Sequence, residues 1–259
     1  MSNALLGELV KGLAAGDITL VDLTETLRPE YPTITLPEEF SQAWGFKKET
    51  ISHYDENGPA WSWSNFSMSE HTGTHLDAPR HWVTGKDVAN GTVDTMPLQQ
   101  MIAPVCVIDC SAEVAKDKGF ILTREFLLEW EKTHGTIPAG SWVFLRSDWR
   151  KVADPDNYTN MQDDGGHSPG PDKGAVMWMI EERDVLGFGT ECVGTDAGQA
   201  FAMDPPYPCH HFMHGNGRLG LQCMTNLDLL PPTGAVVIST PLKIIDGSGS
   251  PLRVLALVP

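Results

Sequence analysis

Six short apolar runs set the first limit on what this chain can fold into: ITLVDL (18–23), PVCVIDC (104–110), SWVFLRSDW (141–149), VLGFGTE (185–191), AVVIST (235–240) and RVLALV (253–258). They are rich in Val, Ile and Leu, bounded by Gly, Pro or Asp, and mostly too short for helices, so each reads as a buried strand. Two segments between them carry helix signals. Thr123 can cap REFLLEWEKTHG, with Glu125 in the first turn and Gly135 just past the end. Asp172 can cap KGAVMWMIEERD, where Val176, Met179, Ile180 and Arg183 give a mixed apolar face. The pattern predicts an α/β or α+β fold, sheet-rich with a few flanking helices, lacking the regular βαβα alternation of a doubly wound sheet. Stretches 28–66 and 150–171 read as long irregular loops, the kind that serve as lids or binding loops.

No linker interrupts the 259 residues, so residues 1–259 are expected to form a single domain with one substantial core. At the amino terminus Leu5, Leu6, Leu9, Val10 and Leu13 share one helical face and no basic region precedes them, which reads as a surface helix rather than a signal peptide. A net charge of −16 without a Lys/Arg cluster opposes the phosphate neutralisation that nucleic acid requires and the docking that anionic lipid rewards. Neither partner is expected. The five cysteines, Cys106, Cys110, Cys192, Cys209 and Cys223, are odd in number and contain no C-x-x-C, which suits reduced, buried thiols in the cytoplasm.

Chemistry concentrates in HTGTHLDAPRHW (71–82), which holds three of the 9 histidines. His75 and Asp77 are two residues apart, so in extended backbone both side chains point to one side. His71 lies four residues before His75 across Thr-Gly-Thr, where Gly73 would let the backbone curl and the two imidazoles converge. Two imidazoles and one carboxylate leave coordination positions open for water and substrate, as catalytic rather than structural metal sites do. Pro79 stiffens a turn that brings His81 back towards them. The segment GNGRLG (215–220) matches the dinucleotide-binding G-x-G-x-x-G in letters only. It follows a helical-looking HHFMH and precedes a strand-like LGLQCM, the reverse of the required order, so Gly215 reads as a helix C-cap.

HTGTHLDAPRHW resembles the H-x-G-T-H-x-D-x-P-x-H signature of the metal-dependent cyclase-like hydrolases, a family that includes kynurenine formamidases and isatin hydrolases. DLTETLRPEYP (22–32) and HHFMHGNGRLGLQ (210–222) are similar to two further family segments, and the stretch from Gly220 to Pro259 looks most like isatin hydrolases. The resemblance implies a swivelling β/β/α fold. It implies that His71, His75 and Asp77 bind the first metal, that Asp77 can bridge to a second ion, and that His81 is the general acid/base. It also makes His210 a ligand of a second metal in formamidase-type members. Gln222 stands where those members carry a bridging glutamate. A neutral amide cannot offset the repulsion between two cations, so Gln222 is expected to join a site holding one ion per chain. That ion is expected to be Mn2+ for an isatin hydrolase, with Zn2+ as the alternative.

Trp61, Trp63, Phe66 and Trp82 flank the metal motif and are expected to wall a pocket for a flat aromatic lactam. The leading expectation is therefore hydrolysis of the cyclic amide isatin to isatinate by a homodimeric enzyme. Two alternatives stand beside it: an arylformamidase acting on N-formylkynurenine, and a non-catalytic metal-binding module.

Overall fold

The computed structural model describes residues 2–259. All six predicted strands are present and all lie in one nine-stranded sheet. Across the sheet the order is Thr19–Asp22, Val254–Val258, Ala235–Ser239, Ile102–Asp109, Trp142–Arg146, Gly187–Thr190, Leu219–Gln222, His75–Asp77 and Gly249–Pro251. The four strands from Ile102–Asp109 to Leu219–Gln222 run parallel, and the pairings outside them are antiparallel. This is the sheet-rich α/β arrangement expected, curled into a half-barrel.

Strands buried on both faces read as unbroken apolar runs, and WVFL (142–145) shows why. Trp142 and Phe144 face a core shared with Val21, Leu76, Val105, Leu221 and Val237, inside the curl. Val143 and Leu145 point the other way, into a second core with Ile108, Leu127, Trp130, Val176 and Met179. That outer core is covered by the helices Arg124–His134 and Lys173–Glu181. Thr123 Oγ1 accepts from the Phe126 N–H at 3.4 Å and Gly135 ends the first helix at φ +88°, while Asp172 Oδ1 accepts from Ala175 N–H at 2.7 Å. The second helix ends earlier than its sequence suggested. Arg183 lies beyond it and forks onto Glu131 at 2.7 and 2.8 Å, joining the two helices instead of extending an apolar face.

Two other expectations are corrected. The stretch 28–66 is not irregular throughout: Lys47–His53 and Ser62–Ser67 pair as a separate antiparallel hairpin. Polar residues alternate with exposed aromatics there, so no face carries the buried pattern that identifies a strand. The cap of the helix Pro208–Gly215 falls after Gly215, at Asn216 and at Gly217, whose φ is +70°. Gly215 is the last helical residue, and the strand Leu219–Gln222 follows, confirming that the G-x-G-x-x-G order is reversed.

The amino-terminal helix, Ser2–Ala15, leaves Leu5, Leu6, Leu9, Val10 and Leu13 exposed. No helix among the described residues is long and apolar enough to cross a membrane.

The double-sided core generates a stability prediction. Phe144→Ala is expected to cost about 3–5 kcal/mol, because truncation empties a fully buried site between the sheet faces. Leu128→Ala, at a partly exposed helical position, should stay within about 0.5 kcal/mol of the parent. Urea denaturation of both variants measures the difference.

Candidate active site

The strand His75–Asp77 lies between Leu219–Gln222 and Gly249–Pro251, and this placement builds the site. His75 and Asp77 project to the same face, and the register sets Gln222 opposite His75. Opposite Asp77 stand two glycines, Gly220 on one side and Gly249 on the other. A Cβ on Gly220 would lie 3.1 Å from Asp77 Oδ2. On Gly249 it would press against His71 Cε1 and lie 2.7 Å from the Leu76 carbonyl. The space around the carboxylate thus depends on residues that lack side chains.

Gly73 adopts φ +70°, the left-handed conformation that its position between the histidines called for. It turns the chain so that the His71 and His75 rings sit 5.3 Å apart at 86°. Pro79–His81 forms a single 3-10 turn in which the His81 N–H donates to Ala78 O. That turn lays the His81 ring on His71, with centroids 3.9 Å apart.

Asp77 is fully buried, and imidazoles surround it. His71 Nδ1 is 2.8 Å from its Oδ1 and His75 Nε2 is 3.3 Å from the same oxygen. His210 Nε2 is 3.8 Å from its Oδ2. Ligand atoms of His71, Asp77 and His81 cluster closely enough to hold an ion, as do those of Asp77, His210 and His214. Burial pushes the Asp77 carboxyl up, but the ring of histidines, led by His81 and His75, outweighs it and holds the group well below the usual carboxylate range. Burial drives His81 down to about 3 and, with His210 beside it, His214 to about 4. For His210 burial acts in the same downward direction, yet the Asp196 carboxylate more than offsets it and the shift is upward.

The outer nitrogens of these rings show which way the inner ones face. His75 Nδ1 lies 2.8 Å from Gly73 O, a carbonyl that can only accept, so Nδ1 donates and Nε2 turns a lone pair inward. His214 Nδ1 likewise donates to Arg218 O at 3.1 Å, leaving Nε2 buried without a partner. His210 Nδ1 donates to Asp196 Oδ2 at 2.5 Å. Asp196 also accepts the backbone N–H of Cys209 and His210 at 2.6 and 3.0 Å, so it caps the helix Pro208–Gly215 while it orients the ring. Lone pairs directed at a buried carboxylate repel it unless a cation lies between them. The donor set, imidazole nitrogen and carboxylate oxygen with anchored outer nitrogens, fits a divalent metal ion.

Gln222 is buried beside them. Its Oε1 accepts the Gly194 N–H at 2.8 Å, and its Nε2 donates to Asp77 Oδ2. Trp82 packs 4.9 Å from His210 and 5.7 Å from Tyr207. The structure therefore gathers His71, His75, Asp77, His81, His210, Gln222 and Trp82. It does not gather Trp61, Trp63 and Phe66, which are 49%, 57% and 65% exposed on and beside the hairpin; Phe66 pairs with Phe46 at 6.1 Å. Four residues around the site lie outside the set that the sequence predicted. His214 stands one helical turn after His210, a spacing that could have revealed it. Asp196 carried no such signal, nor did Ser248, whose hydroxyl lies 3.0 Å from His71 Nε2, or Glu70, 2.7 Å from that hydroxyl.

The Cyclase family model matches residues 21–197, well over half of the chain. The chain belongs to the cyclase family. An isatin hydrolase from Roseibium aggregatum, a curated relative, is 45% identical over 260 residues, covering 100% of this chain and 98% of its own. Among solved structures, isatin hydrolase A from Labrenzia aggregata bound to benzyl benzoate superposes with a TM-score of 0.95 at 57% identity, over 98% of each chain. An isatin hydrolase bound to the product analogue thioisatinate gives 0.97 at 44% identity, over 100% of this chain and 99% of its own. Likeness at this level extends over the whole fold, residues 71–82 included.

The glycine pair flanking Asp77 is open to direct test. Gly249→Ala is expected to cost about 1–3 kcal/mol of stability, since neither the His71 ring nor the Leu76 backbone has room to retreat. Urea denaturation reads the loss, and weaker retention of an added divalent metal ion against a chelator should accompany it.

Proposed function

We propose that the protein is a metal-dependent hydrolase that opens the lactam of isatin to isatinate. The observation that carries this reading is the inward convergence on Asp77 of histidine nitrogens whose opposite nitrogens are tied to oxygen acceptors. Full-length similarity to an isatin hydrolase supports the choice of substrate. His71, His75 and Asp77 hold the ion. Gln222 is within reach of the same carboxylate; presenting Oε1 to a cation would mean turning its amide over and giving up the 2.8 Å bond from Gly194 N–H. With nitrogen, carboxylate and amide donors, Mn2+ suits the site at least as well as Zn2+. Because Gln222 carries no charge to offset a second cation, one ion per chain is expected, and His210 keeps its place as an oriented neighbour of Asp77.

When bound, the ion supplies Lewis-acid chemistry: it polarises the amide carbonyl and lowers the pKa of water from about 15.7 towards ~7. The chain's own residues do the rest. The His81 ring has no hydrogen-bond partner among the described residues and burial keeps it unprotonated, so it is free to take the proton from water as oxygen bonds to the lactam carbonyl carbon. As the carbon–nitrogen bond breaks, His81 returns a proton to the departing ring nitrogen, leaving an aromatic amine and a carboxylate. Trp82, braced by Tyr207, offers a flat wall to the substrate. A thiol nucleophile is disfavoured, since burial pushes Cys223, next to Gln222, up to about 12.

A homodimer is supported by apolar surface on the single chain. Trp61, Trp63 and Phe66 on the hairpin and the leucines of the amino-terminal helix are each exposed, and a second copy can cover apolar surface of this kind. Five buried cysteines without a disulfide suit a reducing compartment such as the cytoplasm.

His75→Ala and Asp77→Ala are each expected to abolish retention of the ion, because the remaining donors rarely hold it against water. Elemental analysis should return one ion per chain for the parent and none for the variants; undiminished metal in both would rule out the site. His81→Ala should keep its metal and lose about 10²–10⁴-fold in turnover, since only proton transfer is removed. An absorbance assay with isatin and N-formylkynurenine side by side reads this loss, and it separates the isatin reading from an arylformamidase.

A further inference from the structure

His71 differs from the other histidines of the site in what holds its outer nitrogen. Its Nε2 lies 3.0 Å from Ser248 Oγ, and that hydroxyl lies 2.7 Å from Glu70 Oε2. With Asp77 Oδ1 on the opposite nitrogen at 2.8 Å, the trio Ser248, His71 and Asp77 has the outline of a serine nucleophile, its base and its acid. Glu70 argues against that outline. An ionised carboxylate only accepts, so the single hydroxyl proton of Ser248 points to Glu70 and not to His71. Ser248 Oγ must then accept from His71 Nε2–H, and the ring presents an unprotonated Nδ1 to Asp77.

We infer that Glu70 and Ser248 are positioning residues for His71, holding its ring in the one tautomer that aims the Nδ1 lone pair at Asp77 and the ion. The inference rests on the metal-site reading above and extends it to two residues outside the motif. Both are placed firmly enough for this work. The Ser248 N–H donates a second bond to Glu70 Oε2 at 3.2 Å, and the Ser248 carbonyl accepts the Ala78 N–H at 2.9 Å. The neighbouring Gly247 carbonyl accepts from Val93 N–H at 3.0 Å. A Cβ on Gly247 would lie 2.7 Å from Val93 Cγ2 and 3.2 Å from Glu70 Oε1, so a side chain there would displace its neighbours. Glu70 precedes His71 directly, so one carboxylate ties the start of the metal motif to a segment near the carboxyl terminus. His210 Nδ1 also lies 3.4 Å from Thr195 Oγ1, but Asp196 holds it at 2.5 Å; the outer nitrogen of His71 depends on a hydroxyl alone, whose direction a neighbour must set. A carbonyl or carboxylate needs no such help.

The test uses the full-length protein loaded with Zn2+, which permits NMR. In the parent, long-range proton–nitrogen spectra should show His71 protonated at Nε2 and metal-bound at Nδ1. The reverse tautomer overturns the inference without recourse to any variant. Ser248→Ala is expected to weaken Zn2+ retention about 10–100-fold in chelator competition, as loss of a ligand's outer partner does, and to broaden the Nε2–H signal. Glu70→Gln, which keeps an oxygen acceptor for the Ser248 hydroxyl, should recover most of the affinity, whereas Glu70→Ala should not. A purely structural tie would instead lower the melting temperature of the metal-free variants without changing the tautomer, and that result overturns the inference. If Ser248→Ala keeps full Zn2+ affinity yet loses all turnover of isatin, Ser248 is a nucleophile and the positioning role is wrong. If His71→Ala also retains Zn2+ at parental affinity, the metal-site reading itself has failed. That outcome is distinct, because there His71 is no ligand at all.

Discussion

A carboxylate with no exposure to water cannot stay charged alone, and the local architecture follows from how Asp77 is compensated. Three imidazole nitrogens lie within 3.8 Å of its two oxygens, and an amide N–H from Gln222 donates to it. Each ring has its far nitrogen anchored to an oxygen, so its near nitrogen has no proton to offer unless the ring is charged. Compensation therefore calls for a cation within the cluster. Everything around the cluster serves that geometry: glycines on both neighbouring strands make room, and the half-barrel supplies rigid strands to carry the ligands.

The anchors themselves are drawn from four different parts of the chain, and they share one physical logic. Gly73 O holds His75, Asp196 holds His210, Arg218 O holds His214, and the Ser248 hydroxyl holds His71. Where the anchor is a carbonyl or a carboxylate, its chemistry alone dictates the tautomer. Only the hydroxyl of Ser248 could serve in either direction, and it is the one that has a carboxylate behind it. Asp196 illustrates a second economy. The same group that orients His210 neutralises the unpaired N–H groups at the start of its helix, so ring position and helix position are set together.

The distribution of aromatics separates two surfaces that the sequence ran together. Trp61, Trp63, Phe66 and Trp82 lie within about twenty residues of one another, and their spacing alone suggests one pocket. In the fold, Trp82 follows the 3-10 turn into the site, whereas the other three belong to a hairpin that pairs only with itself in the sheet topology. Within one chain, proximity in sequence does not bring the four together, because the backbone turns between them over residues 70–74.

By itself the sequence determined six of the nine strands of the central sheet, the starts of its two covering helices, and the clustering of His71, His75, Asp77 and His81. These are local matters: apolar runs mark buried strands, Thr123 and Asp172 are side chains that bond their own backbone, and His71 to His81 span a single strand and two turns. Only the tertiary structure decided which remote groups complete the site. Ser248 is 177 residues from His71, Gln222 is 145 from Asp77, and Asp196 meets His210 across a helix start. Such partners follow from strand order and register, which depend on how the whole sheet packs, and a short segment of chain carries no record of its neighbours across the sheet.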